Sequence, residues 1–119
     1  VPQGNAKKAV SRRKFGWYAE RIEHARLRLQ EELDAEMTAA DLARDVGMSM
    51  FHFTRIFAEL VGVPPHQYRL QQRLKAARAM LLEGRSVTET CFACGFGNLS
   101  HFSRSFVRRY GVSPSRVGA

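Results

Sequence analysis

The chain has 119 residues, a formal net charge of +8, 45% apolar residues and two cysteines. This length suits one domain or two very small subdomains, and no apolar run approaches the roughly 20 residues that span a bilayer. Two cysteines make no disulfide framework, and the basic N-terminal segment lacks the apolar stretch of a signal peptide, so we expect a cytoplasmic protein.

The positive charge is concentrated in particular segments of the chain. Residues 1–18 contain five basic and no acidic residues, whereas residues 19–48 contain four basic and eight acidic ones. Residues 49–82 contain five basic residues and a single acid, Glu59, and residues 95–119 contain four arginines and no acid. A surface that serves only solubility mixes the two signs, so this segregation favours a phosphate-rich or otherwise anionic partner.

The first half of the chain predicts a basic segment followed by short helices. We predict that residues 1–16 form a basic arm or a linker. Apolar residues recur at helical spacing from about 17 to 33, which predicts an amphipathic helix. A short helix should follow from Thr38, whose side chain is suited to cap it, to a stop at Gly47.

The same signals predict four more helices. Serine caps or a proline in the first turn mark where helices begin, and a glycine marks where each helix ends. They run over residues 49–61, 65–84, 86–95 and 98–110, with a last turn near 113–114. No segment alternates apolar and polar residues with β-branched enrichment, so we predict an all-α fold.

The second half of the chain repeats the pattern of the first. With a shift of 49 residues, the Phe-x-Arg-x-Phe motif at Phe53 falls on that at Phe102, and the Gly-Val-x-Pro motif at Gly62 falls on that at Gly111. Each half is a short helix, a glycine-containing turn and a longer helix, which is the helix-turn-helix pattern. Two copies with matching caps and stops favour this interpretation more strongly than one.

The longer helix of the first repeat carries residues that suit the edges of DNA bases. Phe53 and Phe57 fall in one apolar stripe, and Phe51 and Arg55 fall on the opposite side beside Thr54. In a major groove, Phe packs on thymine methyl groups, and Arg donates a bidentate pair of hydrogen bonds to guanine O6 and N7. The alternative is that Phe51 packs on a neighbouring helix and Arg55 is only solvated.

The longer helix of the second repeat has the same arrangement around Phe102 and Phe106. The residues turned away from this stripe are Ser100, Ser103, Arg104 and Val107, with Leu99 and His101 near the leading edge. Arg108 and Arg109 lie near the helix end, where phosphate contacts are expected, and such contacts position a protein without specifying sequence. His52 and His101 either contact phosphate or are simply exposed.

These motifs resemble the DNA-binding domain of the AraC/XylS family of bacterial transcription regulators. The resemblance rests on the connecting-helix motif RLKAA at 73–77, the signature GFGNLSHFSRSF at 95–106 with YGVSP at 110–114, and the matching first half at 42–62. It covers about residues 17–116. Thr90 stands where the family usually has an apolar core residue.

The resemblance implies a domain of about seven helices, with helix-turn-helix subdomains at 17–64 and 85–119 joined by a linker helix at 65–84. It implies a sequence-specific regulator of transcription that binds double-stranded DNA, reads two adjacent major-groove segments and is not an enzyme. Carried over by position, the base-reading residues are Met50, Phe51, Thr54 and Arg55 in the first helix, and Leu99, Ser100, His101, Ser103 and Arg104 in the second. The residues expected at phosphates are Ser49, His52, Arg108 and Arg109.

The resemblance also implies partners beyond DNA. Activation of transcription through RNA polymerase is expected, as is an upstream effector-binding or dimerisation domain in a longer protein, with the regulator associated with the nucleoid. We expect no cofactor, no metal and no membrane contact, because Cys91 and Cys94 lack a second cysteine pair and fit a core. Arg73 either contacts DNA or ties the subdomains together.

Two other classes of function remain open from the residues alone. A nonspecific architectural protein would show no preference among sequences, and its affinity would depend only on salt. A protein-interaction module would use the face around Phe51 and would not bind duplex DNA. The absence of a Gly-rich phosphate loop, a paired-carboxylate site and a nucleophile elbow disfavours an enzyme.

Overall fold

The computed structural model describes the backbone of residues 2–118 and the side chains of residues 14–118. Within that range the chain contains six α-helices, one short 3-10 turn and no strand, which confirms the all-α class and comes close to seven helices. The elements are α1 Pro2–Glu31, α2 Ala39–Asp45, α3 Met50–Val61, α4 Pro65–Leu82, α5 Val87–Ala93, α6 Leu99–Tyr110 and the 3-10 turn Pro114–Arg116.

Helix α1 begins well before the start that we predicted at residue 17. The backbone is helical from Pro2, so the segment interpreted as an arm or linker lies within the helix. Ala, Lys and Arg are good helix formers and Pro suits a first helical turn, so the prediction gave the charge of this segment too much weight. The role of residues 1–16 as an arm or linker stays a prediction.

Side-chain caps begin the short and long helices where the sequence places them. Thr38 Oγ1 accepts a hydrogen bond from the Asp41 N–H at 3.1 Å, and Asp41 Oδ2 accepts one from the Thr38 N–H at 2.9 Å. Ser49, Ser86 and Asn98 each accept a hydrogen bond from the backbone N–H three residues ahead. These caps satisfy N–H groups that have no partner inside the helix, and they fix where each helix starts.

Helices α3 and α6 each end at a glycine whose backbone adopts the left-handed αL conformation. Gly62 has φ of 100° and Gly111 has φ of 78°, and their N–H groups donate to the carbonyls of Ala58 and Val107. A residue with a Cβ is strained in this conformation, whereas glycine adopts it freely. The predicted ends of α3 and α6 are confirmed.

The described chain divides into two compact units. Unit 1 consists of residues Val1–Arg28 and Met37–Pro65, and unit 2 consists of Leu29–Glu36 and His66–Ala119. The division near residue 65 lies beside the end of the predicted first subdomain. The segment Leu29–Glu36 joins unit 2 instead, and α4 lies there from His66 onward. A linking role for α4 stays a prediction.

The core of unit 1 forms where α3 packs against its neighbours. Phe53 and Phe57 are completely buried, and their ring centroids lie 5.7 Å apart. The other buried apolar residues of the unit are Ile22, Ala25, Met37, Leu42, Ala43, Val46 and Ile56. The predicted apolar stripe of α3 is therefore core, which leaves the opposite side of the helix free to carry a site.

The core of unit 2 is built around a chain of aromatic rings. Ring centroids lie 4.9 Å apart between Phe96 and Phe102 and 5.7 Å apart between Phe102 and Phe106. Packed with them are Leu74, Ala77 and Leu81 of α4 and the free thiols Cys91 and Cys94. Both cysteines are fully buried, as their interpretation as core residues requires. This core orients α6 with its polar side outward.

A close backbone approach fixes the turn after α5. Gly95 has φ of 90°, and a Cβ at this position would lie 2.3 Å from the carbonyl oxygen of Leu33. The same oxygen accepts a hydrogen bond from Arg73 Nε at 2.7 Å. The Arg73 guanidinium therefore forms a structural tie, and both of its partners belong to unit 2.

Candidate nucleic-acid interface

The first turn of α3 presents two large apolar side chains to solvent. Phe51 is 78% exposed and Met50 is 55% exposed. The alternative that Phe51 packs on a neighbouring helix is therefore wrong. Ser49, immediately before them, uses its Oγ to accept the His52 N–H at 3.2 Å, so the backbone that carries Met50 and Phe51 is held by a cap. An apolar edge of this kind can cover the methyl groups of a base pair.

Polar groups lie beside this apolar edge. Thr54 Oγ1 donates a hydrogen bond to the Met50 carbonyl at 2.8 Å, which leaves its lone pairs and methyl group for an outside partner. Arg55 is exposed, and its Nε lies 3.8 Å from Oε1 of Glu59. An exposed pair of this length contributes at most about 1 kcal/mol, so Arg55 can still direct its terminal nitrogens at a ligand.

His52 is placed by an aromatic contact that the sequence analysis missed. Its ring meets Tyr18 of α1 edge-on, with centroids 5.2 Å apart, and Tyr18 meets Trp17 at 5.1 Å. His52 is half-buried as a result. The aromatic cluster at residues 15–18 was the available signal, but its partner depends on how α1 packs in unit 1.

Helix α6 presents a mostly polar face in unit 2. Ser100, His101 and Arg104 are exposed, Ser103 is half-buried, and Leu99 stands at the leading edge. The His101 ring meets Phe96 edge-on at 5.6 Å, and its backbone N–H donates to the Asn98 cap at 2.7 Å. The start of this helix is therefore anchored both by its cap and by the core beneath it.

The end of α6 is strongly basic. Arg104, Arg108 and Arg109 are all exposed, and the helix contains no acidic residue. All of the predicted base-reading residues are at least partly exposed within their own unit. The α3 face is mainly apolar with one arginine, whereas the α6 face carries hydroxyls, an imidazole and arginines.

Within the described residues, no helix is both long and apolar enough to cross a membrane. The same residues contain no group of three or more His, Cys, Asp or Glu side chains placed to hold a metal ion.

Comparison with known proteins gives a consistent result. A helix-turn-helix domain family matches residues 42–119. The probable transcriptional regulator LumQ of Photobacterium leiognathi is 32% identical over 89 residues, which are 74% of this chain and 36% of LumQ. The HTH-type transcriptional regulator ExsA of Pseudomonas aeruginosa is 29% identical over 116 residues, which are 97% of this chain and 41% of ExsA. The chain thus spans about two fifths or less of these relatives.

Solved structures with the same fold include DNA-binding domains. An AraC-type transcriptional regulator from Chromobacterium violaceum superposes with a TM-score of 0.77 at 26% identity, covering 84% of this chain and 90% of the other. The DNA-binding domain of the global transcriptional factor AdpA, solved with a target DNA, has a TM-score of 0.75 at 29% identity, covering 79% and 86%.

Proposed function

Since this chain belongs to the AraC type of helix-turn-helix regulators, we propose that it binds double-stranded DNA in a sequence-specific manner and thereby regulates transcription. The observation that carries the proposal is the repeated geometry of the two units. In each, a buried pair of phenylalanines holds a capped helix whose opposite face presents an exposed arginine, Arg55 or Arg104. The similarity to AdpA, whose domain was solved with a target DNA, supports the same function.

In unit 1 we assign base recognition to Met50, Phe51, Thr54 and Arg55. Met50 and Phe51 form an exposed apolar edge that suits the methyl group of thymine. The terminal nitrogens of Arg55 form a fork that matches guanine O6 and N7. Thr54 has already donated its hydroxyl hydrogen to Met50, so its oxygen acts toward DNA as an acceptor.

In unit 2 the proposed recognition depends more on hydrogen bonds. Ser100 and Ser103 can donate hydrogen bonds to either type of base or accept them. Arg104 can donate bidentate hydrogen bonds to a second guanine. His101 lies at the leading edge beside Leu99, whose side chain can meet a thymine methyl group. The two units together would read two adjacent segments of the major groove.

The remaining polar residues are assigned to the DNA backbone. Ser49 and His52 flank the start of α3, and Arg108 and Arg109 lie in the last turn of α6. Contacts with phosphates release counterions, so they supply affinity and salt dependence without reading sequence. The net charge of +8 is consistent with this role.

Further partners are proposed from the family. Contact with RNA polymerase is the proposed route by which the regulator would activate transcription, and an effector-binding or dimerisation domain upstream is consistent with the greater length of LumQ and ExsA. A regulator of this kind acts at the chromosome, so we propose a cytoplasmic, nucleoid-associated location. No chemical reaction is assigned to the chain.

The decisive experiment is selection of bound sequences from a randomised duplex library. We expect enrichment of a site with two parts, each of which is lost when the corresponding arginine, Arg55 or Arg104, is replaced. Uniform recovery of all sequences would support a nonspecific architectural protein instead. A failure to retain any duplex at low salt would overturn the proposed function.

A further inference from the structure

The two proposed reading helices carry charges of opposite sign at one matching position. The 49-residue shift that places Arg55 on Arg104 also places Glu59 on Arg108. In both helices this position lies four residues after the arginine, so its side chain is the neighbour of that arginine one turn further along. The first arginine therefore has an acidic neighbour and the second has a basic one.

The structure shows contact in the first case. Arg55 Nε lies 3.8 Å from Glu59 Oε1, with the two side chains 61% and 63% exposed. In α6, Arg104 and Arg108 are both exposed, and no acidic residue exists in that helix. Glu59 is also the single acid in residues 49–82.

Helix stability does not explain the acid at this position. A pair at this spacing stabilises a helix better when the acid precedes the base, and here Arg55 precedes Glu59. Glu59 also lies in the last turn of α3, which ends at Val61, where the helix dipole disfavours negative charge. The helix dipole therefore opposes Glu59, and the order of the residues makes its ion pair with Arg55 weaker than the reverse order would be, so helix stability gives little reason for an acid here.

We propose that Glu59 is a positioning residue that makes unit 1 the discriminating reader of DNA, while unit 2 supplies most of the affinity; this inference rests on the proposed function. The Glu59 carboxylate holds the Nε side of Arg55, which directs the two terminal nitrogens away from Glu59 and toward a base edge. A guanine in register satisfies both of these nitrogens.

The same carboxylate weakens binding to the wrong sequence. On a mismatched site Arg55 turns to the nearest phosphate, and the negative charge of Glu59 repels that phosphate. Nonspecific binding therefore suffers more than specific binding, and the ratio of the two affinities rises. In α6 the matching Arg108 attracts phosphate on every sequence, so it adds affinity without discrimination.

The matched position allows reciprocal variants. Dissociation constants are measured at several salt concentrations for wild type, Glu59→Gln, Glu59→Arg and Arg108→Glu, on a duplex selected by the wild-type chain, on its single-base variants and on a scrambled duplex. Unfolding midpoints are measured in parallel to confirm that each variant is folded. We expect Glu59→Gln to keep or raise the midpoint, since the acid is unfavourable in α3.

Glu59→Gln should tighten binding to the scrambled duplex about two- to fivefold while changing binding to the selected duplex less, so the specificity ratio falls. Glu59→Arg should also steepen the salt dependence by about 0.9 in slope, as expected for one added phosphate contact. Arg108→Glu should weaken binding to both duplexes and raise the ratio.

A second background isolates the positioning effect. In Arg55→Ala, Glu59→Gln should no longer alter the preference at the base pair that Arg55 contacts, while it still tightens binding to the scrambled duplex. If wild type prefers no duplex, the proposed function itself fails. If wild type discriminates but folded Glu59→Gln keeps the same ratio and the same base preferences, the role of Glu59 is overturned.

Discussion

At the scale of single residues, exposure separates the side chains that build the fold from those available to a partner. Phe51 and Phe53 are two positions apart on one helix, yet Phe51 is largely exposed and Phe53 is completely buried. Burying a phenylalanine contributes roughly 1.5–3 kcal/mol, so Phe53 stabilises the free protein and Phe51 can release comparable free energy only on binding. The same division separates Phe102 from Arg104 in unit 2.

The two arginines give a direct prediction about recognition. Arg55→Ala and Arg104→Ala should each weaken binding to the selected site by about 1–3 kcal/mol and relax the base preference at one position, because each removes a guanine fork. Binding constants on selected and scrambled duplexes test this. Arg55→Lys is the matched control, since lysine keeps the charge but not the fork. Equal losses on both duplexes would contradict base reading.

A buried hydroxyl gives a prediction about stability. Thr90 is fully buried in α5, and its Oγ1 has no hydrogen-bond partner. Thr90→Val replaces this hydroxyl by a methyl group of similar size, so we expect stabilisation by about 1–2 kcal/mol in denaturant unfolding. Thr88→Val, at an exposed position of the same helix, should change little. Destabilisation by Thr90→Val would mean that the hydroxyl has a partner.

At the scale of the elements, capping makes the start of α2 depend on pH. Hydrogen bonding from the Thr38 backbone N–H, and then from its hydroxyl, lowers the pKa of Asp41 below its ordinary value of 3.8. A carboxyl with a lower pKa in the folded state contributes stability above its unfolded pKa and loses it as the pH falls through the folded pKa. Asp41→Asn should therefore flatten the fall of the unfolding midpoint below about pH 4. If the unfolding midpoint of Asp41→Asn still fell below about pH 4 as steeply as that of wild type, the reciprocal hydrogen bonds between Thr38 and Asp41 would not be its cause.

The turn between α5 and α6 depends on one glycine. Gly95→Ala should destabilise unit 2 by more than about 2 kcal/mol, because a positive φ is unfavourable for alanine and the new Cβ would collide with the Leu33 carbonyl. Gly97→Ala is the matched control, since nothing lies within 4 Å of a Cβ there. Chemical denaturation of the two variants gives the comparison, and similar midpoints would show that the turn relaxes freely.

At the scale of the whole molecule, salt dependence measures the contribution of backbone contacts. Arg108→Ala and Arg109→Ala should each make the plot of log affinity against log salt shallower by about 0.9, on selected and scrambled duplexes alike. Arg85→Ala removes the same charge from the turn before α5, where Arg85 lies 3.8 Å from Glu83, and should leave the slope unchanged. Slopes that do not change in the α6 variants would place the phosphates elsewhere.

The parts of the fold that follow local rules could be predicted from the sequence. Thr38, Ser49 and Ser86 mark helix starts because a cap involves only neighbouring residues, and the same holds for the glycine stops. The outward faces of α3 and α6 follow from helical periodicity once the phenylalanine stripe is recognised. The identity of the base-reading residues stays a prediction.

Features that depend on distant contacts could not be predicted in this way. The segment Leu29–Glu36 joins unit 2, where Arg73 bonds to the Leu33 carbonyl across 40 positions of sequence, and no local pattern reveals that bond. The contact between Tyr18 and His52 is missed for the same reason. The predicted start of α1 at residue 17 is wrong for another reason. The preceding residues have high helix propensity, but their positive charge suggests an arm.

The two thiols beneath α6 have a practical consequence. Burial raises the pKa of both Cys91 and Cys94, so at neutral pH both sulfurs are protonated and shielded from electrophiles in the folded protein. Modification by an alkylating reagent therefore proceeds only through molecules in which this half of the chain has transiently opened. Without any added label, the rate of that reaction reports how often the second helix-turn-helix unit comes apart, and how far a bound duplex slows such openings.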